Sequence, residues 1–139
     1  MISTAFARHL AATVSGLSFT PSGTTGNVFV GFEPTSPDVC VVVFDRPGLY
    51  RVDRRPGSEP GVQVLVRGGK RNPDDTLARK VFDALYIDQQ TLADGTPDEL
   101  HVEASTPQQS APTPLGRDSN DRPRWSINTL LSTPTPITI

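Results

Sequence analysis

The sequence is poor in the residues from which small catalytic and metal sites are usually built. It has one cysteine, Cys40, and two histidines, His9 and His101, among 139 residues. One cysteine excludes an internal disulfide framework, and no other metal-ligand type clusters with His9. His101 would share a strand face with Glu103, which we interpret as a surface pair. Cys40 lies inside the apolar run VCVVVFD, so we interpret it as a small buried hydrophobe in a protein made in a reducing cytoplasm.

The motifs of common enzyme classes are also missing. There is no Gly-x-Ser-x-Gly nucleophile elbow and no His-Glu-x-x-His zinc motif. The stretch Gly68-Gly69-Lys70 lacks the preceding glycine spacing of a phosphate-binding loop, and no Ser or Thr follows the lysine. We therefore predict a protein that is not an enzyme, with no catalytic residues, no cofactor and no bound metal.

Long apolar runs and an excess of one charge are absent too. No run approaches the roughly 18 residues of a membrane span, and the N-terminus lacks the pattern of a signal peptide. The formal net charge of −2 gives no overall attraction to nucleic acid. What the chain has in abundance is proline, 14 residues, together with 11 glycines, so we expect many turns and loops and no membrane contact.

Two stretches have the apolar spacing of amphipathic helices. The first runs from Ile2 to Leu17, with Ser3 as predicted N-cap and Gly16 as predicted stop. The second has Asn72 as predicted N-cap, with Pro73 at the first helical position and DDTLARKVFDALYI as its body. Both should place an apolar stripe on a common core.

Several stretches between and after these helices have the character of strands. NVFVGF predicts a short strand and DVCVVVFD a strand covered on both faces, ended by a turn at residues 45–48. GVQVLVRGG alternates strictly, and further strands are expected at 100–104 and 113–115. The side chains predicted to form the structural core are Val41, Val64, Leu77, Val81, Leu85, Trp125 and Ile127.

The stretch LGRDSNDRPRWSINTLL has two possible interpretations. Asp118, Asn120 and Asp121 superficially suggest a calcium loop, but the glycine and the terminal glutamate of such a loop are missing. Asp, Ser and Asn also favour tight turns, and strict alternation begins at Trp125. The sequence thus predicts a polar hairpin tip followed by a strand that buries Trp125.

Two segments look like extended arms. Arg51, Arg54 and Arg55 fall in the Pro- and Gly-bounded stretch GLYRVDRRPGSEPG, which is either a solvated loop or a partner-facing arm. The tail STPTPITI is too rich in proline for a central strand. We predict an α+β fold over residues 1–131, with a mixed, mostly antiparallel sheet, two packed helices and long loops. Residues 132–139 would form an extended C-terminal arm, with Thr135 and Ile137 as predicted interface residues in addition to the three arginines.

Three stretches resemble the minor capsid or tail terminator proteins of long-tailed bacteriophages: SPDVCVVVFDRPG, PGVQVLVRGG and PLGRDSNDRPRWSIN. The resemblance covers roughly residues 2 to 130, and departs at Asp121, where relatives tend to have glycine. It implies a structural protein assembled in the host cytoplasm into a hexameric ring at the tail–neck junction of the virion. Such a ring would bind the tail tube protein and the head–tail stopper, with genomic DNA passing through its lumen without specific binding.

Two other functions remain open on the sequence. One is a different neck component, such as a head–tail stopper or head-completion protein. The other is a small binding module without enzymatic activity, for example one that stacks a sugar on Trp125. The second requires an exposed tryptophan and a protein that stays monomeric.

Overall fold

The computed structural model describes residues 2–20, 25–49, 59–69 and 74–134. These residues form two helices and a seven-stranded, mostly antiparallel mixed sheet, which confirms the α+β class. The arm residues 135–139 lie outside the described part of the chain. The elements are α1 (Ile2–Thr13), β1 (Val28–Val30), β2 (Cys40–Leu49), β3 (Glu59–Arg67), α2 (Thr76–Ala84), β4 (Ile87–Leu92), β5 (Leu100–Pro107), β6 (Thr113–Arg117) and β7 (Pro123–Ser132).

The strands are arranged in the order β1-β2-β3-β7-β5-β4. Only β1 and β2 run parallel; the other described pairs are antiparallel. One edge of β7 pairs with β3, and the other edge is shared, because β6 pairs with its first half and β5 with its second. The side chain of Gln109 fills the gap between these two partners: it accepts from the Asn128 amide at 2.9 Å and donates to the Ser126 carbonyl at 2.6 Å.

The main core lies between the two helices and one face of the sheet. The alternating valines of β2 and β3 point to this side, as do Trp125, Ile127 and Leu131 of β7. Of the side chains expected in the core, Leu77 is only partly buried, because it lies at the first turn of α2 and packs against the edge of the cluster. The others are buried: Val41, Val64, Val81, Leu85, Trp125 and Ile127.

The opposite face of the sheet has a smaller apolar cluster. Phe29, Cys40, Val42 and Leu65 are buried there, with Phe44 packed against them. Because Val41 and Val43 face the main core, β2 is buried on both sides, as its unbroken apolar run predicts. Burial also raises the pKa of the Cys40 thiol, which disfavours the reactive thiolate.

The structure corrects four local predictions. The expected turn at residues 45–48 is wrong, because β2 continues to Leu49 with a register irregularity after Arg46. Ser3 lies inside α1 instead of capping it, and its amide donates to Asp45 at 3.1 Å. Strand β4 was not predicted at all, and it takes Ile87 from the expected second helix. That helix starts at Thr76, with Asp75 at its N-cap position; the expected cap Asn72 and Pro73 lie outside the described residues.

Candidate assembly surface

A buried arginine holds an exposed loop against the second face of the sheet. We call residues 31–39 the cover loop. The alternation in β3 turns Arg67 away from the main core, yet this side chain is only 1% exposed. It is buried because its guanidinium makes four hydrogen bonds to the cover loop, to Asp38 O at 2.9 Å, Pro34 O at 2.6 Å, Pro37 O at 2.7 Å and Glu33 Oε2 at 3.2 Å.

Two further arginines, which belong to the hairpin formed by β6 and β7, strengthen the attachment of the cover loop. Arg122, also buried, donates to Thr35 O at 2.5 Å and to Asp38 Oδ1 at 3.2 Å. Arg124 pairs at 2.8 Å with the Glu33 oxygen that Arg67 leaves free. Planar guanidinium groups can satisfy several fixed acceptors at once, so the loop is held in one shape.

The cover loop presents apolar side chains to solvent. Phe32 is 50% exposed and meets the buried Phe29 ring edge to face at 5.6 Å between centroids. Val39, at the other end of the loop, is 42% exposed. A rigid loop with exposed apolar side chains loses little conformational entropy when a partner covers it, which suits a lasting protein contact.

The polar stretch before Trp125 is a hairpin tip, as predicted. The Asp118 carboxylate accepts from the amides of Asn120 at 2.9 Å and Arg122 at 3.0 Å, and pairs with the Arg122 side chain. Partial burial opposes ionisation of Asp118, but these hydrogen bonds outweigh it and lower the pKa of the carboxyl group. The carboxylate is thus engaged within the hairpin, and in the described residues no group of three or more His, Cys, Asp or Glu side chains could hold a metal.

Asp121 completes the tip in a left-handed conformation, with φ of +60°. This is the backbone geometry that glycine adopts without cost and that Asp tolerates better than most residues. A glycine at this position could therefore adopt the same turn.

Trp125 contributes to the core instead of to an exposed platform. It is 8% exposed and stands opposite Val66 in the sheet. A cavity of about 260 Å³ beside it is lined partly by Gly68, Gly69 and Lys80. The indole ring does not have the open face that stacking on a sugar or a base requires.

The histidines have separate structural surroundings. His9 is 8% exposed, and its Nε2 lies 2.8 Å from the carbonyl oxygen of Ala84, joining α1 to the end of α2. Burial lowers the pKa of His9, an effect that this hydrogen bond partly opposes. His101 is exposed on β5, near Thr91 and Gln89.

The predicted interface residues Arg51, Arg54, Arg55, Thr135 and Ile137 all lie outside the described residues. The residues that form the attachment of the cover loop were not recognised in the sequence. Arg67 and Arg122 bond to acceptors 29 to 87 positions away, so no local spacing indicates their roles.

The fold and its surface define a small α+β protein whose cover loop is held by three arginines and exposes Phe32 and Val39. A family model described as bacteriophage tail terminator protein matches residues 13–133. The match covers most of the chain, so the chain belongs to the bacteriophage tail terminator family, as the resemblance predicted. A search of the curated proteins found no match.

Membership of this family gives the protein a structural role in the phage tail, in association with other tail and neck proteins. In the part of the chain that the structure describes, neither helix is long and apolar enough to cross a membrane.

Proposed function

We propose that the protein is a non-enzymatic tail terminator whose copies form a ring that caps the tail tube and joins it to the neck. The family match over residues 13–133 carries this proposal. The ring would be hexameric, would assemble in the host cytoplasm and would remain in the tail–neck region of the virion. Genomic DNA would pass through its lumen without specific binding, and no cofactor would be needed.

The cover loop supports a role in lasting contacts. Phe32 and Val39 project from a loop that three arginines hold from beneath. In a head-to-tail ring, every copy presents one surface to the copy before it and a different surface to the copy after it. A preformed apolar loop can serve as one of these surfaces or as the contact with the tube.

The distribution of charge supports contacts made by the basic segments. Segments 50–58 and 70–73 contain five of the 13 basic residues but only one of the 15 acidic residues. These two segments are therefore basic, whereas the rest of the chain is acidic. Opposite charges on two parts of one chain favour head-to-tail contact between copies, so we place Arg51, Arg54 and Arg55 at a subunit boundary or in the lumen.

We further propose that the chain consists of one folded domain and a C-terminal arm. Residues 1–131 would form the single folded domain; of the predicted arm 132–139, Ser132 ends β7 and Thr133 is buried, so residues 135–139 would make the contact with another protein. Thr135 and Ile137 belong to this arm.

Electron microscopy of the purified protein, alone and mixed with tail tubes, tests the proposal. We expect rings in solution or at tube ends, and selective retention of tube protein in pull-down assays. Preferential binding to the portal-side adaptor would instead indicate a stopper. A protein that stays monomeric and binds neither partner would overturn the proposal.

A triple variant, R51A/R54A/R55A, tests the placement of the arginines. It should lose ring formation or tube binding while circular dichroism and thermal melting show an intact fold. The matched control is Arg79→Ala, which removes an exposed positive charge that, among the described residues, pairs with its helical neighbour Asp75. Normal assembly of the triple variant would show that the cluster has no role at a boundary.

A further inference from the structure

The sheet face away from the helices carries an apolar groove where the chain leaves β7. The groove has a volume of about 330 Å³ and lies between β5 and β7. Thr106 stands opposite Leu130, and Ala104 opposite Ser132, so these four side chains share one face. Leu131 points the other way, into the main core.

One end of the groove is closed by polar contacts. Arg46 extends from β2 across Gly61, and its guanidinium donates to Gln108 Oε1 at 2.6 Å. The backbone amide of Gln108 donates to the carbonyl oxygen of Asn128 at 2.8 Å. Ala104 and Thr106 are exposed and Leu130 is half-buried. Among the described residues, none occupies this mainly apolar groove, and at its far end the Ser132 hydroxyl donates to Glu103 Oε1 at 3.0 Å.

The segment that follows β7 has the chemistry to fill such a groove. Residues 135–139, Thr-Pro-Ile-Thr-Ile, carry no charged side chain. In an extended chain, Ile137 and Ile139 fall on the same side, and the segment spans about 17 Å. This matches a groove whose accessible lining is mainly Ala, Leu and the methyl group of Thr.

The sequence disfavours docking of this segment in the groove of its own copy. Thr133 is buried and still belongs to the sheet region, so the chain would have to reverse over Pro134 and Thr135. A type I turn would need a helical or bridge conformation at Thr135, which the following Pro136 disfavours. A type II turn would need a positive φ at the β-branched Thr135, which is also costly.

We propose that residues 135–139 of one copy occupy the Ala104–Thr106–Leu130–Ser132 groove of the next copy, as an arm that links neighbours head to tail. This inference rests on the proposed ring and names the contact that closes it. Each copy then gives one arm and receives one arm, which satisfies the requirement that a closed ring leaves no free contact.

Cysteine cross-linking tests the contact between copies. In a Cys40→Ala background, Thr106→Cys and Ile137→Cys are made as two separate proteins and mixed under conditions in which microscopy shows rings. A short bismaleimide should join the two proteins into dimers on denaturing gels. The matched control replaces Thr106→Cys by Thr113→Cys, an exposed position on β6, and should give no more cross-linking than background.

The outcomes separate this inference from the proposed function. Rings without cross-linking above the Thr113→Cys control would overturn the arm contact alone. A protein carrying both cysteines that is joined only within one chain would also overturn it, because the arm would then occupy its own groove. Absence of rings in solution and on tubes would overturn the proposed function and this inference together.

A second variant probes the groove directly. Leu130→Asp places a charge on the groove floor and should reduce the ring fraction at least tenfold at a fixed protein concentration, with folding checked by circular dichroism. Leu115→Asp is the control, since Leu115 is 46% exposed on β6, away from the groove. Equal ring fractions for the two folded variants would contradict the proposal.

Discussion

The guanidinium of Arg67 lies 2.9 Å from the carbonyl oxygen of Asp38, across the 29 residues that separate them in sequence. This hydrogen bond joins the end of β3 to the cover loop. Together with the bonds to Pro34 and Pro37, it satisfies backbone carbonyls that would otherwise be covered without a donor. The arginine therefore supplies this irregular loop with the hydrogen-bond donors that a paired strand would otherwise provide.

Replacing Arg67 by methionine should be strongly destabilising. The variant keeps most of the side-chain volume but leaves several loop carbonyls unsatisfied, so we expect a loss of about 3 kcal/mol in the free energy of unfolding. Urea denaturation monitored by tryptophan fluorescence measures this loss in the free energy of unfolding. Arg79→Met, in an exposed pair on α2, should change stability by less than about 0.5 kcal/mol. Similar losses in both variants would show that burial of Arg67 does not stabilise the fold.

Gln109 gives a second test, because its amide substitutes for backbone where β5 ends and β6 has not begun. Gln109→Ala should lower the free energy of unfolding by about 1–3 kcal/mol, since the half-buried amide of Asn128 and carbonyl of Ser126 lose their partner. Gln109→Glu keeps the acceptor and loses the donor, so it should not restore stability. Gln90→Ala on the exposed side of β4 is the control, and hydrogen exchange at Asn128 gives a local measurement.

The left-handed conformation of Asp121 predicts opposite effects for two small substitutions. Asp121→Gly should leave stability unchanged or raise it by up to about 1 kcal/mol, because glycine adopts positive φ without steric cost. Asp121→Ala should destabilise the protein by about 1 kcal/mol, because alanine meets that cost without the local hydrogen bonding open to Asp. Thermal melting of both variants decides between this turn geometry and one with negative φ, for which alanine would be the better residue.

His9 should make stability depend on pH below neutrality. Its pKa is lowered by folding, so between the folded value and the unfolded value of about 6.5 the unfolded chain binds more protons. The contribution of this residue to stability is therefore complete above the unfolded pKa and is lost as the pH falls through that interval. Urea titrations at several pH values should show a weaker dependence in His9→Gln than in His101→Gln, whose histidine is exposed. Equal pH dependence of the stability of the two variants would contradict this role of His9.

Parts of the fold with a simple periodic pattern could be predicted from the sequence. The valines at 62, 64 and 66 and the alternation from Trp125 indicate strands with one buried face, and the structure places them so. Strand β4 was missed because its buried ends, Ile87 and Leu92, are five residues apart, which no regular strand face allows. Gln89, with a φ of +47°, interrupts the alternation between them.

The cover loop and its arginines could not be predicted, for a different reason. The alternation in β3 places Arg67 correctly on the second face, but whether that face meets solvent depends on where residues 31–39 lie. That position is decided by contacts with residues 29 to 91 positions away. Likewise, Asp45-Arg46-Pro47-Gly48 has the composition of a turn, but pairing of Asp45 with Val62 and Arg46 with Gly61 keeps the strand extended.

The irregular edges of the sheet also bear on whether copies of this chain can pair edge to edge. At one end of the sheet, β1 has only three residues; at the other, β4 is bent at Gln89; and β6 is broken in register near Gly116, where φ is +79°. Interrupted edges of this kind make poor templates for strand addition by a foreign or identical chain. The same interruptions that end regular pairing therefore also disfavour growth of the sheet into amyloid-like ribbons.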